Sequence, residues 1–135
     1  MPKYFTVEQA NRTLPLVRRI VGDVVSTHRT LVERVEQCRC LDPDSPDLES
    51  ERSRLTEEID ELTHTVNRFI GELHELGVLF KGFEVGLVDF YAMMDSRPVF
   101  LCWELDEDQI EWWHELDGGF AGRQRLPAHL LSESS

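Results

Sequence analysis

The chain has little cysteine, few basic residues and no long apolar run. Three cysteines among 135 residues are an odd count, and Cys38 and Cys40 are separated by one residue, too close for an ordinary structural disulfide. A disulfide-built fold is therefore excluded, and a reducing, cytoplasmic setting is expected. The CRC pair lacks the second cysteine pair of a soft-metal site, so it reads as a helix end. No apolar stretch approaches the ~20 residues a membrane helix requires. The opening MPKYFTVEQANRTL does not have the charged-then-apolar order of a secretory signal. Fourteen bases face 26 acids, for a net charge of −12. Such a surface repels phosphate backbones and anionic lipid, so neither nucleic acid nor a membrane is an expected partner. A Gly-rich phosphate loop, a G-x-S-x-G elbow and an HExxH pair are also missing.

What is present is enough for one folded domain spanning 1–135, with 41% hydrophobic and 30% charged residues. Thr6 and Gln9 have the spacing of a capping box, with Phe5 placed to staple onto Ala10. Pro15 should then impose a short helix, a kink or a restart, because its ring clashes with the preceding turn. Beyond it Leu14, Val17, Val21, Val24, His28, Leu31, Val35 and Cys38 step by three and four, a seam of coiled-coil type. RCLDPDSPD breaks the pattern. A second seam runs through Leu48, Arg52, Leu55, Ile59, Leu62, Val66, Phe69, Leu73 and Leu76 and stops at Gly77. Two such seams joined by a short loop predict a long antiparallel helical hairpin over 6–40 and 46–77. A further stripe, Ile20, Val25 and Val32, lies off the seam. It predicts a homodimer through the hairpin, unless the C-terminal half covers it.

After Gly77 the period changes to two. VLFKG reads as a strand, FEVG as a turn, and LVDFYAMM and PVFLCWEL as strands around DSR. The prediction for 78–105 is a small β-hairpin or three-stranded ribbon, apolar on both faces and covered on both sides. A short helix is expected over 106–116, with Asp106 as its cap and Gln109 completing the box. Residues 127–135 are expected to fray. The fold class is thus α+β, mainly α.

Within GVLFKGFEVGLVDF, LCW and WHELDGGFAGR the chain resembles a bacterial family known only as a domain of unknown function, number twenty-two-oh-three. The likeness extends from YFTVEQANRTLPLV to Arg123. The family pattern falls on Lys81, Gly86, Asp89, Phe90, Cys102, Trp103, Glu107, His114, Gly119, Phe120, Gly122 and Arg123. Tyr91 and Asp106 depart from it, standing where proline and glycine are usual. The resemblance implies no activity; it directs attention to the C-terminal half.

In that half Asp89 is the anomaly, a carboxylate amid Leu, Val and Phe that needs a partner. Lys81, Arg97, Arg123 and Arg125 are the candidates. Carboxylates with one imidazole suit a divalent metal (zinc, manganese or iron), and Asp89, Glu107 and His114 form the expected set, with Glu111 as the alternative. A small polar ligand would instead use Asp89, Arg123 and Lys81. Glu111–His114 and Glu61–His64 are both E-x-x-H pairs, but a di-iron bundle needs four ligand-bearing helices. A metal with an open position would polarise water, though no motif specifies a substrate. His28 is expected to pack in the seam, and His64 and His74 to be solvated. Cys102 with His114 suggests a thiol nucleophile, against which a strand cysteine between Leu101 and Trp103 is expected simply to pack. Arg97, Arg123 and Arg125 beside the glycines suggest an anion pocket, without the helix start such pockets use. The competing reading needs no ligand. Trp103, Trp112 and Trp113 then pin a lid by packing, and the hairpin serves as an oligomeric scaffold or protein-interaction surface.

Overall fold

The computed structural model describes residues 3–132. Helix α1 (Val7–Arg39) begins at the expected capping box: the Thr6 hydroxyl accepts from the Gln9 amide at 3.0 Å, and the Gln9 side chain accepts from the Thr6 amide at 3.0 Å. Pro15 neither ends nor restarts α1, contrary to the sequence expectation. Its own side is exposed, whereas Ala10, Leu14, Val17 and Val21 around it are buried. Burial of that stripe outweighs the ~3 kcal/mol that an internal proline costs a helix. Helix α2 (Leu48–Glu75) returns alongside α1, and Arg34 donates across to Glu58 at 2.9 Å.

An antiparallel sheet of five strands follows, in chain order: β1 (Val78–Gly82), β2 (Leu87–Met94), β3 (Arg97–Glu104), β4 (Trp112–Glu115) and β5 (Gln124–Arg125). The three predicted strands are present. The β2–β3 turn places Asp95 and Ser96 at φ 51° and 65°, the positive pair that a tight two-residue hairpin demands. The helix expected over 106–116 does not form. Residues 106–111 turn instead, and 112–115 become β4. The reason lies in where the amides go. Glu107 N donates to the Glu104 carbonyl, and Ile110 N donates to Asn11 Oδ1 on α1 at 2.7 Å, so contacts from outside the segment replace helical bonds. Trp112, Trp113 and His114 then alternate faces as strand residues must. The short C-terminal helix is α3 (Ala128–Ser132). It occupies part of the tail expected to fray over 127–135; residues 133–135 lie outside those described.

One face of the sheet, with Val88, Phe90, Val99, Leu101, Trp103 and Trp113, merges with α1 into a single core. Arg18 ties the 106–111 turn to α1 through the Glu107 and Asp108 carbonyls, both at 3.0 Å. The off-seam stripe divides: Ile20 and Val25 are buried, while Val32 stays 52% exposed. The C-terminal half therefore covers part of it. The opposite sheet face carries Asp89, Tyr91, Phe100, Cys102, Trp112 and His114, none of which belongs to that core cluster.

The turn between β1 and β2 presses on α1 at Gly86. Its φ is +66°, and an added Cβ would lie 2.8 Å from Val21 and 2.9 Å from Leu105. Gly86→Ala should therefore cost about 2–3 kcal/mol, from a disfavoured φ and a steric clash together. Urea unfolding reads this directly, with Gly118→Ala at an exposed site of ordinary φ as the comparison.

Candidate functional site

Strand pairing assembles the candidate site on the face away from α1. Asp89 on β2 lies opposite Cys102 on β3; Phe100 on β3 lies opposite His114 on β4. Asp89 and His114 therefore flank β3 and reach over it, meeting at 3.0 Å between Asp89 Oδ1 and His114 Nε2. Burial is nearly complete: Asp89 is 3% exposed, His114 2% and Cys102 0%. One ligand atom from each of the three lies within 4.8 Å of the others. Among the described residues this is the group of histidine, cysteine and carboxylate side chains that could hold an ion.

The hydrogen bonds fix where protons sit. His114 Nδ1 is 2.7 Å from the Glu115 carbonyl, which can only accept, so Nδ1 carries a hydrogen. Nε2 faces Asp89 Oδ1 at 3.0 Å and is taken up by that contact. Neither ring nitrogen is left to draw a proton from Cys102. The thiol itself is pushed up to about 12, first by burial and then by the Asp89 carboxylate, with Arg123 pulling the other way. A thiol so held stays protonated at neutral pH and is a poor nucleophile. Cys102 is fully buried, as a packed strand cysteine would be.

Glu107 is not in the cluster. Its Oε1 accepts from Arg123 Nη2 at 2.7 Å and from the Glu104 amide at 2.8 Å. With 106–116 not helical, no helical face brings Glu107, Glu111 and His114 together. Glu111 pairs with Arg125 at 3.2 Å instead. Lys81 is exposed, its ammonium 5.2 Å from the centre of the Phe100 ring. Of the four cations expected to partner Asp89, none forms an ion pair with it among the described residues; His114 does. Arg97, Arg123 and Arg125 are each engaged by a different acid, Glu115, Glu107 and Glu111, so they do not converge on an anion. His28 stacks on Phe83 with ring centres 3.9 Å apart. Glu61, His64 and His74 are exposed.

Cys102 is the member that sequence reading assigned to packing alone. A signal was available: a two-residue turn at 95–96 sets 89 opposite 102, since both pairs sum to 191.

The chain belongs to the family described as an uncharacterized conserved protein (DUF2203), whose model matches residues 3–126. No curated protein and no solved structure matches it.

Removing one half of the Asp89–His114 pair leaves the other polar and buried. His114→Ala should lower unfolding stability by about 3–5 kcal/mol. In a double-mutant cycle with Asp89→Ala the two losses should fall well short of additive. Additive losses would mean that the two side chains do not depend on each other.

Proposed function

We propose that this protein holds one divalent cation of the zinc class, with Asp89, Cys102 and His114 as its ligands. The observation that carries the reading is the convergence of a carboxylate, a thiol and an imidazole, all buried, within 4.8 Å. A carboxylate and a thiolate would together neutralise a 2+ ion, and sulfur with nitrogen favours zinc or iron(II) over manganese. The orientation of His114 fits this use. Its Nδ1–H is held by a backbone carbonyl, the outer-shell bond that metal-ligating histidines keep, and Nε2 is turned toward the other two donors. A cation would take the place of the direct contact between Nε2 and Asp89. Donors this closed to solvent suit retention of an ion more than turnover of a substrate. The three free thiols fit a reducing compartment such as the cytosol. No helix is long and apolar enough to cross a membrane.

A specific observation favours a second role, self-association through the hairpin. Val32 and Val35 remain 52% and 46% exposed on its distal half, beyond the reach of the sheet. A second copy of α1 and α2 would cover them. Light scattering at high concentration should give twice the monomer mass, and Val32→Asp should return it to one. A monomer throughout excludes the paired hairpin.

For the cation, untagged protein loaded with zinc and desalted should retain about one ion per chain. Cys102→Ser should retain far less. Because the ion must displace a proton from a thiol raised to about 12, uptake should strengthen from about pH 6 to about pH 8. Retention below about 0.1 ion per chain at either pH would contradict the reading.

A further inference from the structure

Something must let an ion, or any reagent, reach donors that are almost wholly buried. The segment from Leu116 to Arg123 turns away from His114 and returns to set Arg123 beside Cys102. At its start, a Cβ on Gly118 would lie 3.6 Å from that of His114 and 3.4 Å from the Glu115 backbone. At its end, the Arg123 guanidinium donates to the Cys102 carbonyl at 3.3 Å and lies beside the thiol. The Arg123 guanidinium also lies over two rings, 5.1 Å from the centre of Trp112 and 5.0 Å from that of Phe120. Arg123 thus touches Cys102 on one hand and the exposed Phe120 ring on the other.

The arrangement has the marks of a cover that opens. Residues 116–121 are exposed, with Phe120 at 49%, and the stretch contains two glycines, Gly118 and Gly119, the latter at φ +59°. No buried apolar side chain anchors it. Its hold is electrostatic: Arg123 to Glu107 at 2.7 Å, with side chains 12% and 20% exposed. Arg123 Nε is buried and finds no hydrogen-bond acceptor among the described residues, so the closed state leaves one donor unsatisfied. Opening would return that donor to water, which offsets part of the bond to Glu107.

We infer that Arg123 is a latch, held shut by Glu107, through which the 116–123 segment controls access to the Asp89, Cys102 and His114 centre. Glu107 and Arg123 are positioning residues here and do not touch the ion. The consequence for ion uptake rests on the cation reading above, but the latch is testable on the thiol alone.

The test uses the full chain with Cys38 and Cys40 changed to serine, so that Cys102 is the one thiol left. Its alkylation by iodoacetamide is followed by mass spectrometry under native conditions. Glu107→Gln keeps an oxygen for the Glu104 amide but removes the charge that holds Arg123, and Phe120→Ala removes the exposed ring. Each should speed alkylation at least about tenfold, with a rate that does not change at low urea, as local opening requires. Glu107→Asp should restore part of the protection. Unchanged rates, or a rise that matches the loss of global stability and climbs with urea from the outset, would overturn the latch. Zinc supplies a separate arm. If the parent retains zinc, its release to a chelator should quicken in the same variants, and unaltered release overturns the latch. If the parent retains none, the cation reading fails, and the alkylation rates alone decide the latch.

Discussion

The hydrogen bond between Asp89 and His114 is the constraint around which the C-terminal half is arranged. A carboxylate on the middle of β2 cannot be buried alone, and in this chain no arginine or lysine pairs with it among the described residues. The imidazole that satisfies it comes from two strands away. That requires β4 to lie beside β3, which in turn requires residues 106–111 to turn sharply instead of winding into a helix. Arg18, Asn11 and the Trp103 ring nitrogen hold that turn by bonding its backbone. Each of those contacts reaches back to α1 or β3, so the position of His114 is set by the whole scaffold.

The two faces of the sheet have different duties. One is continuous with α1 and supplies the apolar burial that keeps a chain of this size folded. The other has short polar side chains sunk among aromatics, with Phe100 and Trp112 around the cluster and Arg123 beside it. A polar group in such a setting is nearly shut off from solvent. The low dielectric that makes an unpaired carboxylate costly also strengthens any pairing made there. An ion entering would meet donors already close to one another, with the imidazole oriented by its own backbone neighbour.

Much of this architecture was legible in the residues. The alternating three-and-four steps from Leu14 and from Leu48 marked both long helices because packing of one stripe, repeated over many turns, leaves a long-range pattern. The same strength of pattern explains why Pro15 misled: a local breaker was outvoted by the stripe on either side. Over 106–116 the error ran the other way. Asp106 and Gln109 look like a cap and its box, and nothing local reveals that Asn11 and Arg18, almost a hundred residues earlier, take over the groups involved. Asp89 was legible as a carboxylate in need of a partner, but the partner is His114 and, among the described residues, none of the four cations considered. Glu107 was grouped with Asp89 and His114 as a nearby carboxylate. Cys102 was set aside because DSR reads as a three-residue turn, whereas the turn closes at Asp95 and Ser96 and so sets 102 opposite 89.

The central claim is that these three side chains act together on one ion, and cobalt(II) reports on that most directly. In protein carrying serine at positions 38 and 40, cobalt should produce a thiolate-to-metal charge-transfer absorption with the intense visible bands of a low-coordinate site, saturating near one ion per chain. Replacing Cys102 by serine should remove the charge-transfer band. A spectrum no different from cobalt in buffer, in protein shown to be folded, would contradict the account and leave Asp89 and His114 as a structural pair.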